Sequence, residues 1–418
     1  MSFSQINFRR SIRNLSLSLL LAGCLYGQGT VVEVHKLPDH PLADFQNTYL
    51  PGSVPTGTSD HGYMLGGIGS GLFKGPGDGP GIFWMISDRG PNPQDASSPI
   101  RRAFPTPWYT PFILQVKAEA NNGPITILQV LPLAGTDAFG ARVAVTGLPN
   151  DPTSVNSPVN PSPLRDELAF TCAVGVGAPG LSKKFTTVMD ADHDGIPDGN
   201  HDGHDTEDVV RDVHGNFWSI EEYGPSISKV DPTGRVLKRF VPAGRGSVSG
   251  SVEQHFTVVE NLPQILGRRP RNRGFEGLAI TPDQKTLMAI VQSPLTNPTT
   301  GIGNPSLVIR LIAFDIETEM PTAEYVYVMQ SVDEFKPSPA NPTEMKISAM
   351  SALDEHRFLI DERTDLVAKL YLVDIRGATN ILGSHWDNLP ATPRAAASCA
   401  LYVLDPNSQT GIFVPVPG

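Results

Sequence analysis

Cysteine is scarce in this chain, and the motifs that depend on it are missing. Only three of the 418 residues are cysteine, and no set of Cys and His residues has the spacing of a zinc site. If Cys24 belongs to the leader described below, Cys172 and Cys399 remain. In an oxidising compartment they could pair, or they could stay as two separate buried thiols. The sequence leaves both possibilities open.

Several catalytic signatures are also absent. The segment Gly67–Gly71 reads Gly-Ile-Gly-Ser-Gly, which places its serine one position away from that of a Gly-x-Ser-x-Gly nucleophile elbow. No His-Glu-x-x-His motif and no Walker A loop occur. Long helical periodicity is missing as well, whereas the chain has 40 glycines and 39 prolines. This composition, with recurring apolar runs, predicts short strands separated by turns.

The first 28 residues have the pattern of an export signal. Three arginines precede a short apolar run from Leu15 to Leu21, and small residues follow. The run is too short to cross a bilayer and has the order of a secretory signal. Leu21–Cys24 also resembles a lipobox, which would attach a lipid to Cys24, whereas ordinary cleavage would fall near Gly27. We expect a periplasmic, extracellular or lipid-anchored protein, with residues 29–418 as a single domain.

The charge balance limits the choice of partners. The formal net charge is -11, and loss of the three leader arginines changes it to -11 − 3 = -14. Such a surface repels nucleic acid and anionic membranes and suits cations. We therefore expect a small-molecule substrate, no nucleic-acid partner and no membrane contact except through a lipid on Cys24. We also expect a monomer.

One sequence pattern recurs four times. Each copy is an apolar strand followed by an acidic or amide residue, and an isoleucine marks the same place in each. The marks are separated by 134, 70 and 70 residues, so the first interval contains a degenerate unit or a long insertion. The marks are Ile86, Ile220, Ile290 and Ile360.

The surroundings of each mark predict the fold. The order strand, turn, apolar strand, loop, strand, turn, strand describes one four-stranded antiparallel blade. We predict an all-β fold, a β-propeller of about six or seven blades. A β-sandwich is the alternative, but it would not explain why one motif recurs with acidic residues at the same place.

The repeat predicts a cluster of polar side chains on one rim of the propeller. Equivalent strand starts and strand ends open onto the same rim, and like charges gathered there need protons, an arginine such as Arg89 or Arg363, or a cation. An all-oxygen set suits Ca²⁺. Alternatively, each acid caps a turn or pairs with an arginine. The strand starts are Glu207 and Glu276, and the strand ends are Asp88, Glu222, Gln292 and Glu362.

A second acidic pattern lies in the insertion at residues 190–205. Carboxylates at alternate positions, with Gly195 after the third, are typical of a loop that wraps an oxygen-liganded ion. His201 stands where an EF-hand has its last glutamate, so the loop is closer to the calcium loops of thrombospondin type-3 repeats. A solvated acidic insertion is the alternative. The candidate calcium ligands are Asp190, Asp192, Asp194 and Asp198.

Four motifs together resemble the bacterial phytase-like family, whose domain is described as having esterase-like activity of phytase. They are Ser87–Asn92, Glu222–Ile227, Asn272–Ala279 and Phe358–Arg363. The resemblance covers roughly residues 60 to 380. It implies a β-propeller, export, and hydrolysis of ester or phosphoester bonds with calcium. The Asp-rich and Lys-rich signature of true β-propeller phytases is absent, so phytate is not implied as the substrate.

Two functional hypotheses follow. In the first, the protein is a calcium-dependent hydrolase of an ester or phosphoester, and a bound ion polarises the substrate oxygen. Arg89 and Arg363 stabilise the developing negative charge, and Asp88, Glu222 or Glu276 assists an attacking water. The second is a non-catalytic, calcium-stabilised binding module of the cell envelope. The predicted calcium ligands of the rim are Glu207, Glu222, Glu276 and Glu362.

Overall fold

The computed structural model describes the repeat region and shorter segments around it. The described residues are 31–49, 62–93, 101–150, 168–172, 185–188, 202–245, 255–270, 272–337, 342–387, 400–404 and 411–415. The leader, Cys24 and Cys399 lie outside them, and the side chain of Cys172 is not described. The export signal, lipidation and disulfide therefore stay predictions.

Strands dominate the described ranges. The helices are α1 (Leu42–Tyr49) and α2 (Thr300–Gly303), with 3₁₀ turns at Gln264–Arg268, Val332–Glu334 and Pro342–Glu344. No helix in these ranges has the length and apolar character that crossing a bilayer requires. The strands are β1 (Ile68–Phe73), β2 (Ile82–Ser87), β3 (Arg101–Phe104), β4 (Phe112–Ala118), β5 (Ile125–Pro132), β6 (Ala134–Thr136), β7 (Arg142–Ala144), β8 (Leu168–Cys172), β9 (Phe185–Val188), β10 (Thr206–Arg211), β11 (Phe217–Glu221), β12 (Ser226–Val230), β13 (Val236–Pro242), β14 (Thr257–Leu262), β15 (Phe275–Ile280), β16 (Thr286–Val291), β17 (Val308–Asp315), β18 (Met320–Val328), β19 (Lys346–Ala352), β20 (Arg357–Arg363), β21 (Ala368–Asp374), β22 (Ala400–Leu404) and β23 (Gly411–Pro415).

Four blades contain the four isoleucine marks. Blade 1 has the order β1-β2-β4-β5, and blade 2 the order β10-β11-β12-β13-β14. Blade 3 begins with β15-β16-β17-β18 and gains β22 and β23 at its outer edge, and blade 4 is β19-β20-β21. The innermost strands are neighbours in sequence order, β1 beside β10, β10 beside β15 and β15 beside β19. The propeller prediction is confirmed, and the total of six or seven blades stays a prediction.

The long first interval contains additional sheet structure. A three-stranded sheet, β3-β8-β9, and a two-stranded hairpin, β6-β7, lie between blades 1 and 2 in the sequence. The hairpin touches blade 2 through a bridge from Ala134 to Arg235. The interval is therefore an insertion that contains strands.

The turn between the first two strands of blade 2 shows why the repeat folds as it does. The Asp212 carboxylate accepts hydrogen bonds from the backbone N–H of His214 and Asn216 and from the indole N–H of Trp218, at 2.9 Å each. Gly215 adopts a φ of 87°, which a residue with a Cβ rarely does. In blade 1, the Asp78 carboxylate likewise accepts a hydrogen bond from the indole N–H of Trp84, at 3.3 Å. An aspartate six residues before a tryptophan therefore fixes the turn.

The cores lie between neighbouring blades. Trp84, Ile86 and Phe217 pack in the core between blades 1 and 2, and Trp218 and Ile290 belong to the larger core that joins blades 2, 3 and 4. Each fully buried side chain of this size contributes roughly 1.5–3 kcal/mol of transfer free energy. Successive side chains of a strand point to opposite faces of the sheet. The second strand of a blade, which carries the isoleucine mark, therefore contributes side chains to the cores on both sides of that blade.

Candidate functional site

A β-bulge at the same place in every blade directs the predicted site residues. In blade 2, Thr206 pairs with Glu221 and Asp208 with Ile220, which leaves Glu207 unpaired. In blade 3 the same shift leaves Glu276 unpaired. Equivalent irregularities interrupt β1 before Gly71 and β19 between Ile347 and Ala349. Bulges re-aim a side chain, and here the bulged glutamates are brought toward the strand ends of the neighbouring blades.

The strand ends are also held equivalently. The backbone N–H groups of Asp88, Glu222 and Gln292 donate to the carbonyl oxygens of Gly67, Asp205 and Gly274, at 2.7, 3.0 and 2.7 Å. A Cβ on Gly274 would collide with the carbonyl oxygen of Glu222. Glycine at this position therefore allows the close approach that places Glu222 beside Glu276.

Five carboxylates meet at this rim, and we call them the carboxylate cluster. One oxygen from each of Asp88, Asp205 and Glu207 lies within 4.8 Å of the others, and the same holds for Glu207, Glu222 and Glu276. Glu207 belongs to both groups, so the two are continuous. Asp205 was not among the predicted ligands, although its acidic neighbours in the sequence could have indicated it. The cluster is a set of oxygen donors that could bind a metal ion.

Glu362 is placed elsewhere. Glu362 pairs with Ile347, the residue before the bulge, just as Glu221 pairs with Thr206 in blade 2. Arg363, the next residue, pairs with Lys346. The Glu362 carboxylate is fully buried and accepts hydrogen bonds from the Tyr327 hydroxyl and from the backbone N–H of Gln330. Glu362 therefore lies between blades 3 and 4, and Arg363 takes the rim place equivalent to Glu222.

Arg89 is also displaced from its predicted role. Its side chain is 1% exposed, its Nη1 lies 3.2 Å from Asp205 Oδ2, and its Nη2 donates to Asn272 Oδ1 at 2.7 Å. The guanidinium group also faces the rings of Phe104 and Tyr223. Arg89 therefore stabilises the cluster through its ion pair with Asp205. Because its side chain is buried, it has little access to a substrate.

Gln292 supplies the hydrogen bonds within the cluster. Its Nε2 donates to Glu222 Oε1 and to Glu276 Oε2, at 2.7 Å each. By contrast, the Glu207 carboxylate makes no hydrogen bond or ion pair with any residue in the described ranges. The neutral amide fixes two of the carboxylates in space without cancelling their charge.

Burial and mutual repulsion raise the pKa values of the cluster. Burial is the largest cause for Glu207, Glu222 and Asp205, whose pKa values lie well above their usual range, and neighbouring carboxylates raise them further. Burial raises the pKa of Glu276 to about 7, although the hydrogen bond from Gln292 opposes the change. At neutral pH the cluster therefore needs either bound protons or a cation.

Three basic side chains lie on the blade 3 and blade 4 side of the cluster. Arg273 donates to Ser293 Oγ and to the carbonyl oxygen of Thr343, both at 3.0 Å, and the charges of Glu222 and Glu276 act on it. Arg363 and Lys346 each approach Asp365 to 3.5 Å. Arg273 and Lys346 were not among the predicted site residues, although Arg273 belongs to the Asn272–Ala279 motif. These residues form a basic margin next to Glu276.

Of the Asp-rich insertion at residues 190–205, the structure describes residues 202–205. Asp190, Asp192, Asp194 and Asp198 lie outside the described residues. The calcium loop therefore stays a prediction.

The burial of Glu362 predicts a pH effect that does not require a metal. Burial raises its pKa from 4.5 to about 7. The folded state keeps this proton up to about pH 7, whereas the unfolded chain releases it near pH 4.5, so the free energy of unfolding falls as the pH rises between these values. The contribution of this residue is about 3 kcal/mol. In Glu362→Gln, the amide replaces the protonated acid, so urea unfolding at pH 5 and pH 8 should show this loss in the wild type but not in the variant.

The exposed Glu317→Gln is the matched control, and it should retain the pH profile of the wild type. Parallel profiles for the wild type and Glu362→Gln would contradict the raised pKa of Glu362.

Comparisons with known proteins place the chain in context. An uncharacterised secreted protein of Arthroderma benhamiae is 28% identical over 337 residues, and the match covers 71% of this chain. This chain spans 58% of the length of that relative.

Among solved structures, the Dos1 propeller is 8% identical, with coverage of 76% of this chain and 49% of that chain and a TM-score of 0.23. Virginiamycin B lyase from Staphylococcus aureus is 9% identical, with coverage of 72% and 83% and a TM-score of 0.23. The α-L-arabinanase of Cellvibrio cellulosa is 8% identical, with coverage of 72% and 90% and a TM-score of 0.23. These TM-scores are too low to support a fold assignment, so the propeller fold is assigned from the strand topology.

The family match is extensive and coincides with the repeat. The phytase-like family model, described as esterase-like activity of phytase, matches residues 64–401. That range contains blades 1, 2 and 4, strands β15–β18 of blade 3 and the carboxylate cluster, and it agrees with the resemblance of the four sequence motifs. The chain therefore belongs to the phytase-like family.

Proposed function

We propose that this protein is an exported hydrolase that cleaves an ester or phosphoester with a divalent cation, Ca²⁺, held by the carboxylate cluster. One observation carries the proposal. Five carboxylates converge at one rim, and in the described ranges a single arginine, Arg89, makes an ion pair with them. Export is supported by the predicted leader and by the description of the A. benhamiae relative as secreted.

The donor set fits a hard cation. Every candidate ligand is a carboxylate oxygen, which Ca²⁺ prefers over the nitrogen and sulfur donors of transition-metal sites. Glu207, Glu222 and Glu276 would form one set of ligands, and Asp88 and Asp205 would extend it through Glu207. A bound cation would polarise the phosphoryl or carbonyl oxygen of the substrate.

Basic side chains and Glu276 could bind the substrate and assist proton transfer beside the cation. Arg363 is about one-third exposed, with 32% of its side chain accessible, and Lys346 and Arg273 lie on the same side of Glu276. They are placed to bind anionic oxygens of a substrate and to stabilise charge that develops there. Glu276, with a pKa of about 7, is suited to take a proton from an attacking water. Arg89 holds Asp205 in place instead of contacting the substrate.

A specific observation also favours the non-catalytic alternative. Glu222 is only 3% exposed and Glu276 only 8%, so an ion held between them would have few positions open to a substrate. In that case calcium would stabilise a binding module of the cell envelope, and the basic margin would be its ligand seat.

The deciding experiment is hydrolysis by the mature protein. p-Nitrophenyl phosphate, bis(p-nitrophenyl) phosphate and p-nitrophenyl acyl esters are supplied separately, with Ca²⁺ and again with a chelator. We expect turnover of one bond class that is lost with the chelator and lost in Glu276→Gln. No turnover of any substrate, with a melting temperature that still falls in the chelator, would reject the hydrolase and favour the binding module.

A further inference from the structure

The carboxylate cluster is part of a longer row of side chains along the rim. Within a blade, the strand-end residue lies beside the residue at the bulge of the innermost strand. In blade 2 these residues are Glu222 and Glu207, and one oxygen of each lies within 4.8 Å of the other. In blade 3 they are Gln292 and Glu276, joined by the hydrogen bond of 2.7 Å from Nε2 to Oε2. The same pairing of positions therefore recurs from blade to blade.

Blade 4 continues this row with different chemistry. Its bulge between Ile347 and Ala349 leaves Ser348 unpaired, and Nε of the strand-end residue Arg363 donates to Ser348 Oγ. The backbone N–H of Ile347 donates to the carbonyl oxygen of Gln292 at 2.9 Å, so the blade 4 pair follows directly after the blade 3 pair. The row thus changes from carboxylates, through a neutral amide, to a hydroxyl and a guanidinium group.

The Ser348 hydroxyl still has its proton to donate. A serine hydroxyl has one O–H donor and two acceptor lone pairs, and Arg363 occupies one of the lone pairs. Among the residues that the structure describes, Ser348 Oγ makes no second hydrogen bond, and the residue is only half-buried. Its proton is therefore available to an acceptor that enters the rim.

The charges around Ser348 favour an anionic acceptor. Arg273, Arg363 and Lys346 bring three positive charges to this part of the rim, against two negative charges from Asp361 and Asp365. The ion pairs of Asp365 with Arg363 and Lys346 are long, at 3.5 Å each, and its side chain is 63% exposed, so they are weak. A cation in the carboxylate cluster would add positive charge on the other side of Ser348.

We propose that Ser348 is a ligand-binding residue, whose hydroxyl donates to an anionic oxygen held between Arg363 and a cation in the carboxylate cluster. The inference rests on the proposed function for the presence of the cation. The ligand is then an oxyanion, with a phosphate or carboxylate group that reaches both parts of the row. Serine at this bulge position is what admits the group, because a glutamate there, as in blades 2 and 3, would repel it.

The first test measures binding without turnover. The mature protein with Ca²⁺ is titrated calorimetrically with phenylphosphonate, whose carbon–phosphorus bond resists hydrolysis, and separately with benzoate. We expect saturable binding, and the stronger of the two probes identifies the preferred oxyanion. Ser348→Ala should weaken this binding roughly tenfold or more, because a hydrogen bond to a charged group is lost. The exposed Ser351→Ala on the same strand is the matched control and should bind like the wild type.

Two comparisons show whether the effect belongs to the anion. Ser348→Glu places a carboxylate at the bulge of a third blade, so it should abolish oxyanion binding. Both Ser348→Ala and Ser348→Glu should keep the rise of the melting temperature with Ca²⁺, because the cluster carboxylates are unchanged. Wild-type affinity for the oxyanion in Ser348→Ala, or no binding of either probe to the wild type, would overturn the inference. Equal affinity with Ca²⁺ and in chelator would contradict a position next to the cation.

The failure of this inference can be distinguished from the failure of the proposed function. Oxyanion binding that Ser348→Ala weakens, without turnover of any ester, would uphold Ser348 as a ligand-binding residue and reject the hydrolase. Turnover that requires Ca²⁺ and has the same KM in the wild type and in Ser348→Ala would reject the role of Ser348 and leave the hydrolase intact.

Discussion

Glu207→Gln is expected to weaken Ca²⁺ binding more than any other single change. Glu207 belongs to both groups of carboxylates, so neutralising it removes a ligand from each. The affinity of oxygen sites depends steeply on the number of charged ligands, and we expect a loss of about 100-fold or more. Calorimetric titration of the mature protein with Ca²⁺ measures it directly.

The same variant should behave differently when no cation is present. In chelator, Glu207→Gln puts a neutral amide in place of a carboxyl group that burial and its acidic neighbours make costly to ionise, so its melting temperature should equal or exceed that of the wild type. Addition of Ca²⁺ should raise the melting temperature of the wild type and leave that of the variant nearly unchanged. The exposed Glu355→Gln should follow the wild type in both buffers, and equal calcium responses for all three proteins would contradict the assignment.

Arg89→Ala is expected to be the most destabilising substitution at the rim. It would leave Asp205 buried without its ion-pair partner and would remove the hydrogen bond to Asn272. Breaking a buried pair on one side costs about 3–5 kcal/mol. Chemical denaturation measures the loss, and the double variant Arg89→Met with Asp205→Asn should recover a large part of it because no unpaired charge remains.

Arg363→Ala provides the contrast. Because its side chain is partly exposed and its ion pair with Asp365 is long, at 3.5 Å, its stability should change by less than about 1 kcal/mol. Its turnover should fall if it binds anionic oxygens. A large loss of stability in Arg363→Ala, or none in Arg89→Ala, would reverse the roles assigned to the two arginines.

The repeat predicted the fold and much of the cluster. Strand periodicity and the isoleucine marks were enough to place Asp88, Glu207, Glu222 and Glu276 on one rim, because equivalent strand positions in a propeller face equivalent directions. The structure brings these four side chains together.

Two site predictions were incomplete or wrong, because aligning the repeats does not show a β-bulge or a contact between distant parts of the chain. Aligning the marks made Glu362 equivalent to Glu222, but the pairing across the bulge in blade 4 makes it equivalent to Glu221. A shift of one residue turns a side chain to the other face of a strand. Asp205 was missed because it precedes β10 and reaches the cluster through contacts between distant parts of the chain, including its ion pair with Arg89.

The most direct test of the cation site is anomalous diffraction from crystals of the mature protein grown with Ca²⁺, or with Mn²⁺ in its place. The proposed function predicts a peak among the carboxylate oxygens of Glu207, Glu222 and Glu276. A map with ions elsewhere, such as at Asp190–Asp198, and none in the carboxylate cluster would contradict it.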